Sequence, residues 1–165
     1  MSKVLGIAES IIRGLDNSEI TVSKPFKVME KHMYDSFGTG GADSELHNNI
    51  LALGNNLEFM TWLLENGYEG KFKCIYIDPP FFTKSKYDAT VAIRDREGKT
   101  HKVKHLAYDD TFDRSIEQYV ENMTTRLVLM KRLLAEDGLI WVHLDWHSAH
   151  YVKLIMDEIF GYENM

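Results

Sequence analysis

Hydrophobic and polar positions repeat with two different periods along this chain, and the changes of period mark its elements. Val4, Ile7, Ala8, Ile11, Ile12 and Leu15 recur at helical spacing, with Gly14 and Asp16-Asn17 to end the helix. Gly38-Thr39-Gly40-Gly41 reads as a flexible break. It divides the chain into an N-terminal extension, partly helical, over 1–45 and a main domain over 46–165. Within that domain Ile50-Leu51-Ala52-Leu53 predicts a short strand, Gly54-Asn55-Asn56 its turn, and 57–65 a helix stopped by Asn66-Gly67. The run from Phe72 to Ile77 is the next strand, so a βαβ unit is expected. Beyond a polar loop, 90–94 and 100–108 read as a hairpin turned by Asp95-Arg96-Glu97-Gly98-Lys99. The longest predicted helix covers 115–135. Its Tyr119, Met123, Leu127, Met130 and Leu134 form one apolar face, a spacing that marks Tyr119 and Met123 as core. Asp137-Gly138 ends that helix, 139–144 is a buried strand stopping at Asp145, and 148–160 is a last helix with Val152, Ile155, Met156 and Ile159 on one side. Strands alternating with helices predict an α/β fold.

The most informative change of pattern lies at Asp78-Pro79-Pro80-Phe81. Ile75, Tyr76 and Ile77 suit a buried strand, and neither proline that follows can donate to a sheet ladder. The strand must end there, leaving Asp78 at its carboxyl end, the edge where open α/β sheets bind ligands. The Asp78 carboxylate and the Pro79 carbonyl both accept hydrogen bonds, and the prolines stiffen the carbonyl between them. Phe81 adds a flat apolar surface. Two acceptors beside a ring suit an aromatic heterocycle carrying an exocyclic amine, such as adenine or cytosine.

Composition narrows the setting. The 165 residues suffice for one domain with a core. No apolar run approaches the ~20 residues of a membrane span, and Glu9 and Arg13 interrupt the N-terminal apolar residues, so a cytoplasmic protein without membrane contact is expected. Cys74 is the single cysteine, which excludes an internal disulfide, and its position in the strand predicts a small buried hydrophobe. His143, Asp145, His147 and His150 straddle a strand end and a helix start, a layout read as sheet-edge and helix-surface residues and not as a metal site. The net charge of -6 argues against general nucleic-acid affinity, yet 84–105 carries seven Lys/Arg against three acids. Lys84, Lys86, Arg94, Arg96, Lys102 and Lys104 are candidate phosphate contacts; the alternative is a solvated ribbon whose lysines block strand pairing.

The Asp-Pro-Pro-aromatic stretch resembles the catalytic motif of amino-methylating DNA methyltransferases. Several flanking stretches follow in the same order, namely 49–58, 68–71, 107–110, Arg126-Leu127, 142–146 and 157–164. Together they resemble the β-class, type III modification-subunit-like adenine-N6 DNA methyltransferases over roughly 48–165. The resemblance implies an incomplete Rossmann-like, S-adenosylmethionine-dependent sheet. It implies that a base of double-stranded DNA is flipped out, Phe81 stacks on it, and Asp78 and the Pro79 carbonyl hold its amine for direct methyl transfer. No covalent intermediate is required, unlike cytosine-C5 methylation, which needs a thiolate. Carried over residue by residue, the catalytic set is Asp78, Pro79, Pro80 and Phe81, and the cofactor set is Asn55, Asn56 and Asp78. Three departures accompany it: Asn55 where aspartate is common, Phe81 where tyrosine is common, and no glycine-rich cofactor loop. The expected chain is therefore the catalytic half of a permuted methyltransferase, with little or no activity alone. Its expected partners are the missing C-terminal half or a restriction subunit. Cytosine-N4 methylation and a non-catalytic DNA-binding or subunit-assembly fragment are the alternatives.

Overall fold

Helix α3 (Ile116–Leu133) carries the longest apolar face, and α1 (Ser2–Asp16), α2 (Asn56–Glu65) and α4 (Ala149–Phe160) all pack against it. The computed structural model describes residues 2–16, 50–94, 99–110 and 115–165. Ser115 begins α3 as its N-cap, its hydroxyl accepting from the Gln118 N–H at 3.3 Å. Glu117 in the first turn, with Lys131 and Arg132 in the last, suits the helix dipole. Tyr119, Val120, Met123, Leu127, Leu129, Met130 and Leu133 are buried, as are Val4 and Ala8 of α1, Met60 and Leu63 of α2, and Val152, Ile155, Met156 and Ile159 of α4. The one polar side chain fully buried within α3, Thr124, donates its hydroxyl to the Val120 carbonyl at 2.7 Å and so is satisfied.

Strand β1 (Phe72–Ile77) pairs in parallel with β4 (Leu134–Val142), Cys74 opposite Leu139 and Ile77 opposite Val142. Phe72, Ile75, Ile77, Ile140 and Val142 turn toward the helical core. By strand alternation the other face carries Cys74, Tyr76, Leu139 and Trp141, all exposed. Strands β2 (Lys86–Arg94) and β3 (Thr100–Asp109) form a separate antiparallel hairpin. The fold is α/β, with a parallel strand pair layered on helices.

Five expectations need correction. Residues 50–53 form no strand, and Leu51 and Leu53 are 99% and 98% exposed. A strand must pair its backbone N–H and C=O groups, and among the described residues nothing lies alongside this one. The βαβ unit is instead β1, α3 and β4. Helix α3 stops two residues early because Leu134 already pairs with Phe72, and 135–138 bulge out between that pair and Cys74–Leu139. The strand therefore starts at Leu134 and ends at Val142, although the His143 N–H still donates to the Ile77 carbonyl at 2.9 Å. Cys74 is exposed, not buried, because alternation points it away from the helices. The hairpin also begins earlier than its periodicity suggests, at Lys86. The Gly38–Gly41 break, the boundary at 45–46 and most of the hairpin turn (95–98) lie outside the described residues.

Gly138 closes the bulge where a side chain has no room. A Cβ there would lie 2.8 Å from the Phe72 carbonyl oxygen and 2.9 Å from the Leu134 side chain. Gly138→Ala is expected to destabilise the fold by about 1–3 kcal/mol, lowering Tm by roughly 2–4 °C per kcal/mol in thermal unfolding. Ser115→Ala removes the α3 cap and is expected to cost about 1 kcal/mol, measured by urea titration.

Candidate active site

The parallel pairing brings the carboxyl ends of β1 and β4 to one edge. Asp78, Pro79, Pro80 and Phe81 leave β1 there, beside His143 and Asp145 leaving β4. Asp78 is exposed, and the Phe81 ring lies 5.6 Å from the His143 ring. Behind them, toward α3, opens a cleft of about 460 Å³. Ile77, Asp78, Pro79 and Pro80 form one wall, Tyr119, Asn122, Met123 and Arg126 of α3 another, and Asn56 of α2 contributes beside them. Arg126 Nε donates to Asn56 Oδ1 at 2.9 Å and one of its terminal nitrogens donates to the Asn122 carbonyl at 3.0 Å, joining the two helices across the cleft. Asn55 is engaged elsewhere, because its side chain caps α2, accepting from the Leu57 N–H at 3.0 Å. Of the three residues the resemblance nominates for the cofactor, Asn56 and Asp78 line the cleft, while Asn55 sets the first turn of the helix that carries Asn56.

The turn that follows the two prolines is strained. Phe82 has φ of 61° and Lys84 φ of 56°, in the left-handed region, a conformation that costs on the order of 1–3 kcal/mol per residue. Contacts from two elements hold it. The Tyr119 hydroxyl donates to the Pro80 carbonyl at 3.0 Å, and its ring meets Phe82 at 5.3 Å. The Thr83 N–H and hydroxyl both donate to one carboxylate oxygen of Asp110 at 2.6 Å. The Lys84 ammonium sits 4.9 Å from the Phe82 ring centre, a cation–π contact. Tyr108 completes the surroundings. Burial pushes its phenol above the ordinary range, and the nearby Asp110 and Asp78 carboxylates and Tyr87 push it further. Tyr108 is thus a protonated donor within electrostatic reach of Asp78.

The histidines of the β4 edge do different things. The Asp145 carboxylate accepts from the His147 backbone N–H and meets Nδ1 of the same ring, both at 2.8 Å. Desolvation raises the Asp145 carboxyl, but these hydrogen bonds and the imidazole charge outweigh it and leave the group below its usual range. Trp146 stacks on His147 at 3.7 Å, and His150 is exposed in the first turn of α4. Among the described residues no three His, Cys, Asp or Glu side chains are grouped to hold a metal.

On the hairpin, cross-strand partners share a face. Arg94, Lys102 and Lys104 fall on one face with Thr90, Ala92 and Thr100; Ala89, Val91, Ile93, His101, Val103 and His105 fall on the other. Lys86 is ion-paired with Asp109 at 3.2 Å and Lys84 covers Phe82, so the basic run does not form one surface. Arg96 lies outside the described residues. Tyr119, Asp110, Asn122 and Arg126 were not legible as site residues. Asp110 and Arg126 fall in stretches that carry the family resemblance but without an assigned role, and Tyr119 carried a signal of its own, because a tyrosine on a core face must find a partner for its hydroxyl.

A family model for N6/N4 methyltransferases, described as DNA methylase, matches residues 72–165. The probable type III restriction-modification enzyme HindVI Mod subunit of Haemophilus influenzae is 33% identical over 123 residues, covering 74% of this chain and 14% of that protein. The type II methyltransferase M.EcaI of Enterobacter cloacae is 32% identical over 72% of this chain and 22% of its own length. The EcoP15I Mod subunit of Escherichia coli, a type III restriction-modification enzyme component, is 32% identical over 70% of this chain and 19% of its own length. The chain thus spans about a fifth or less of the length of these relatives, and its similarity to them includes the strand end that carries Asp78. With more than half of its residues inside the family match, the chain belongs to the DNA methylase family of N6/N4 methyltransferases.

Proposed function

We propose that this chain is the catalytic portion of a site-specific DNA methyltransferase that methylates the N6 amine of adenine. The observation that carries the reading is the Asp78-Pro79-Pro80-Phe81 turn, set at a sheet edge and opening on a cleft. Asp78 and the Pro79 carbonyl accept the two hydrogens of the base's exocyclic amine, and Phe81 stacks on its ring. Held this way, the nitrogen lone pair points out of the ring plane, and the positive charge that develops on nitrogen meets a carboxylate.

The methyl donor implied by the family is S-adenosylmethionine, which supplies an electrophilic methyl group on a sulfonium. The cleft suits such a group chemically: Asp78 offers negative charge for the sulfonium, and the amides of Asn56 and Asn122 offer polar contacts. Asn55 serves by holding the helix start that presents Asn56. The finer architecture we propose is part of a Rossmann-like sheet, with 46–165 as a catalytic half completed by a C-terminal half carrying the donor's glycine-rich loop. The parallel β1–β4 pair, one face of which the described residues leave uncovered, supports this, since parallel strands are ordinarily buried on both faces. Double-stranded DNA is the proposed substrate, with Arg94, Lys102 and Lys104 touching phosphates from one hairpin face. Arg96 belongs to the same basic run. Lys84 and Lys86 serve closer to the motif, where they already hold Phe82 and Asp109. The kinship with Mod subunits supports a restriction subunit as partner. Cytosine-N4 methylation is the second reading, because the same acceptor geometry suits that amine and the family model spans both.

Expression of this chain together with its proposed C-terminal half in a methylation-free host, with mass spectrometry of genomic nucleosides, tests the reaction. N6-methyladenine is expected, and Asp78→Ala is expected to reduce it by at least about 100-fold. N4-methylcytosine in its place selects the second reading, and undiminished methylation in the Asp78 variant refutes the clamp. Reversing Lys102 and Lys104 to glutamate is expected to weaken duplex binding across all sequences and to lower the salt slope by about two. An unchanged slope assigns the ribbon to a role other than phosphate contact.

A further inference from the structure

We propose that Tyr119 is a positioning residue, which aims the Pro79 carbonyl at the amine by tying down the Pro80 carbonyl. This inference rests on the reading of Asp78 and Pro79 as the base clamp. Pro79 and Pro80 lack N–H groups, so this pair of residues has no backbone donor of its own to anchor it. What remains free to swing is the direction of its carbonyls. The Tyr119 hydroxyl, on a side chain only 1% exposed, donates to the Pro80 oxygen at 3.0 Å. Between the Pro80 and Pro79 carbonyls stand one torsion locked by the pyrrolidine ring and one set by this hydrogen bond. A single bond from α3 thereby fixes the neighbouring carbonyl, and it occupies one of the two lone pairs with which the Pro80 oxygen could compete for the amine.

The downstream half of the turn is held independently. Thr83 gives both its N–H and its hydroxyl to Asp110 at 2.6 Å, and Asp110 is 4% exposed. Asp110 returns its own N–H to the Ser85 carbonyl at 2.9 Å, closing the loop on itself. Phe82, at φ of 61°, lies between the two anchors, with its ring against Tyr119. A left-handed phenylalanine persists only where its surroundings over-determine it, and here α3 holds one side and the end of β3 the other. The turn is therefore clasped at two points, and the point nearer the reacting amine is Tyr119.

Tyr119→Phe keeps the ring against Phe82 and removes the hydroxyl that donates to the Pro80 carbonyl. In the purified gene product, hydrogen–deuterium exchange in peptides covering 81–84 is expected to speed up by on the order of tenfold, with peptides of β4 unchanged. Methyl transfer is expected to lose on the order of tenfold or more in kcat, with KM for DNA and for the methyl donor within about twofold of wild type. Unchanged exchange over 81–84, or a kcat within about twofold of wild type, would overturn the proposal. A variant that loses protection evenly along the chain would also overturn it, by revealing a general packing role. The exchange measurement needs no methyl transfer, so it judges the clasp even where the wild-type protein methylates nothing and the parent reading fails.

Discussion

Everything at the candidate site depends on the parallel pairing of β1 with β4. Parallel strands run the same way, so both release their chains at one edge. Ile77 opposite Val142, with the His143 N–H on the Ile77 carbonyl, sets the level at which they do so. Asp78 and His143, far apart in sequence, leave the sheet at the same edge because of this register. A slip by one residue would turn Ile75 and Ile77 away from the helices and bring Cys74 and Tyr76 inward, which the core would resist. The hydrophobic register of a two-stranded sheet is thus what fixes the site.

Helix α3 serves the same end from the other side. Its apolar residues fill the centre of the fold, yet Tyr119, Asn122, Met123 and Arg126 also line the cleft. Packing and chemistry are not on separate surfaces here. Tyr119 is buried as a ring and functional as a hydroxyl, and Arg126 reaches Asn56 of α2 while bonding its own helix at the Asn122 carbonyl. Rigid core packing consequently passes directly to the turn that follows β1. The strained backbone at Phe82 and Lys84 is stabilised by residues with little freedom of their own.

How far the sequence was legible follows from which forces are local. Helices α1, α2, α3 and α4 were readable because their apolar spacing is encoded within a few residues, whereas the capping roles of Asn55 and Ser115 emerge only in the structure. The end of β1 was readable because two prolines forbid its continuation. The boundary between α3 and β4 was not, because the pairing of Leu134 with Phe72 is a contact between distant segments, and it captured residues that local propensity assigns to helix. The strand expected at 50–53 misled for the converse reason: apolar residues suggest a strand, but only a neighbour makes one. At the site, the Asp-Pro-Pro-Phe stretch itself was evident. The roles of Asp110 and Arg126 were not, although both lie in stretches that carry the resemblance, since an acid or a cation acquires its meaning from the partner that folding brings.

The face of the β1–β4 pair turned away from the helices holds Cys74, Tyr76, Leu139 and Trp141 in the open, and Cys74 is the only cysteine of the chain. One thiol therefore stands in the middle of an apolar sheet surface that the described residues leave uncovered. Any layer that settles there, from elsewhere in the same polypeptide or from another, must shut that thiol away from solvent. The chain thus contains a native chemical gauge: the rate at which a maleimide reaches Cys74 reports how completely the sheet is closed, without a label having to be introduced.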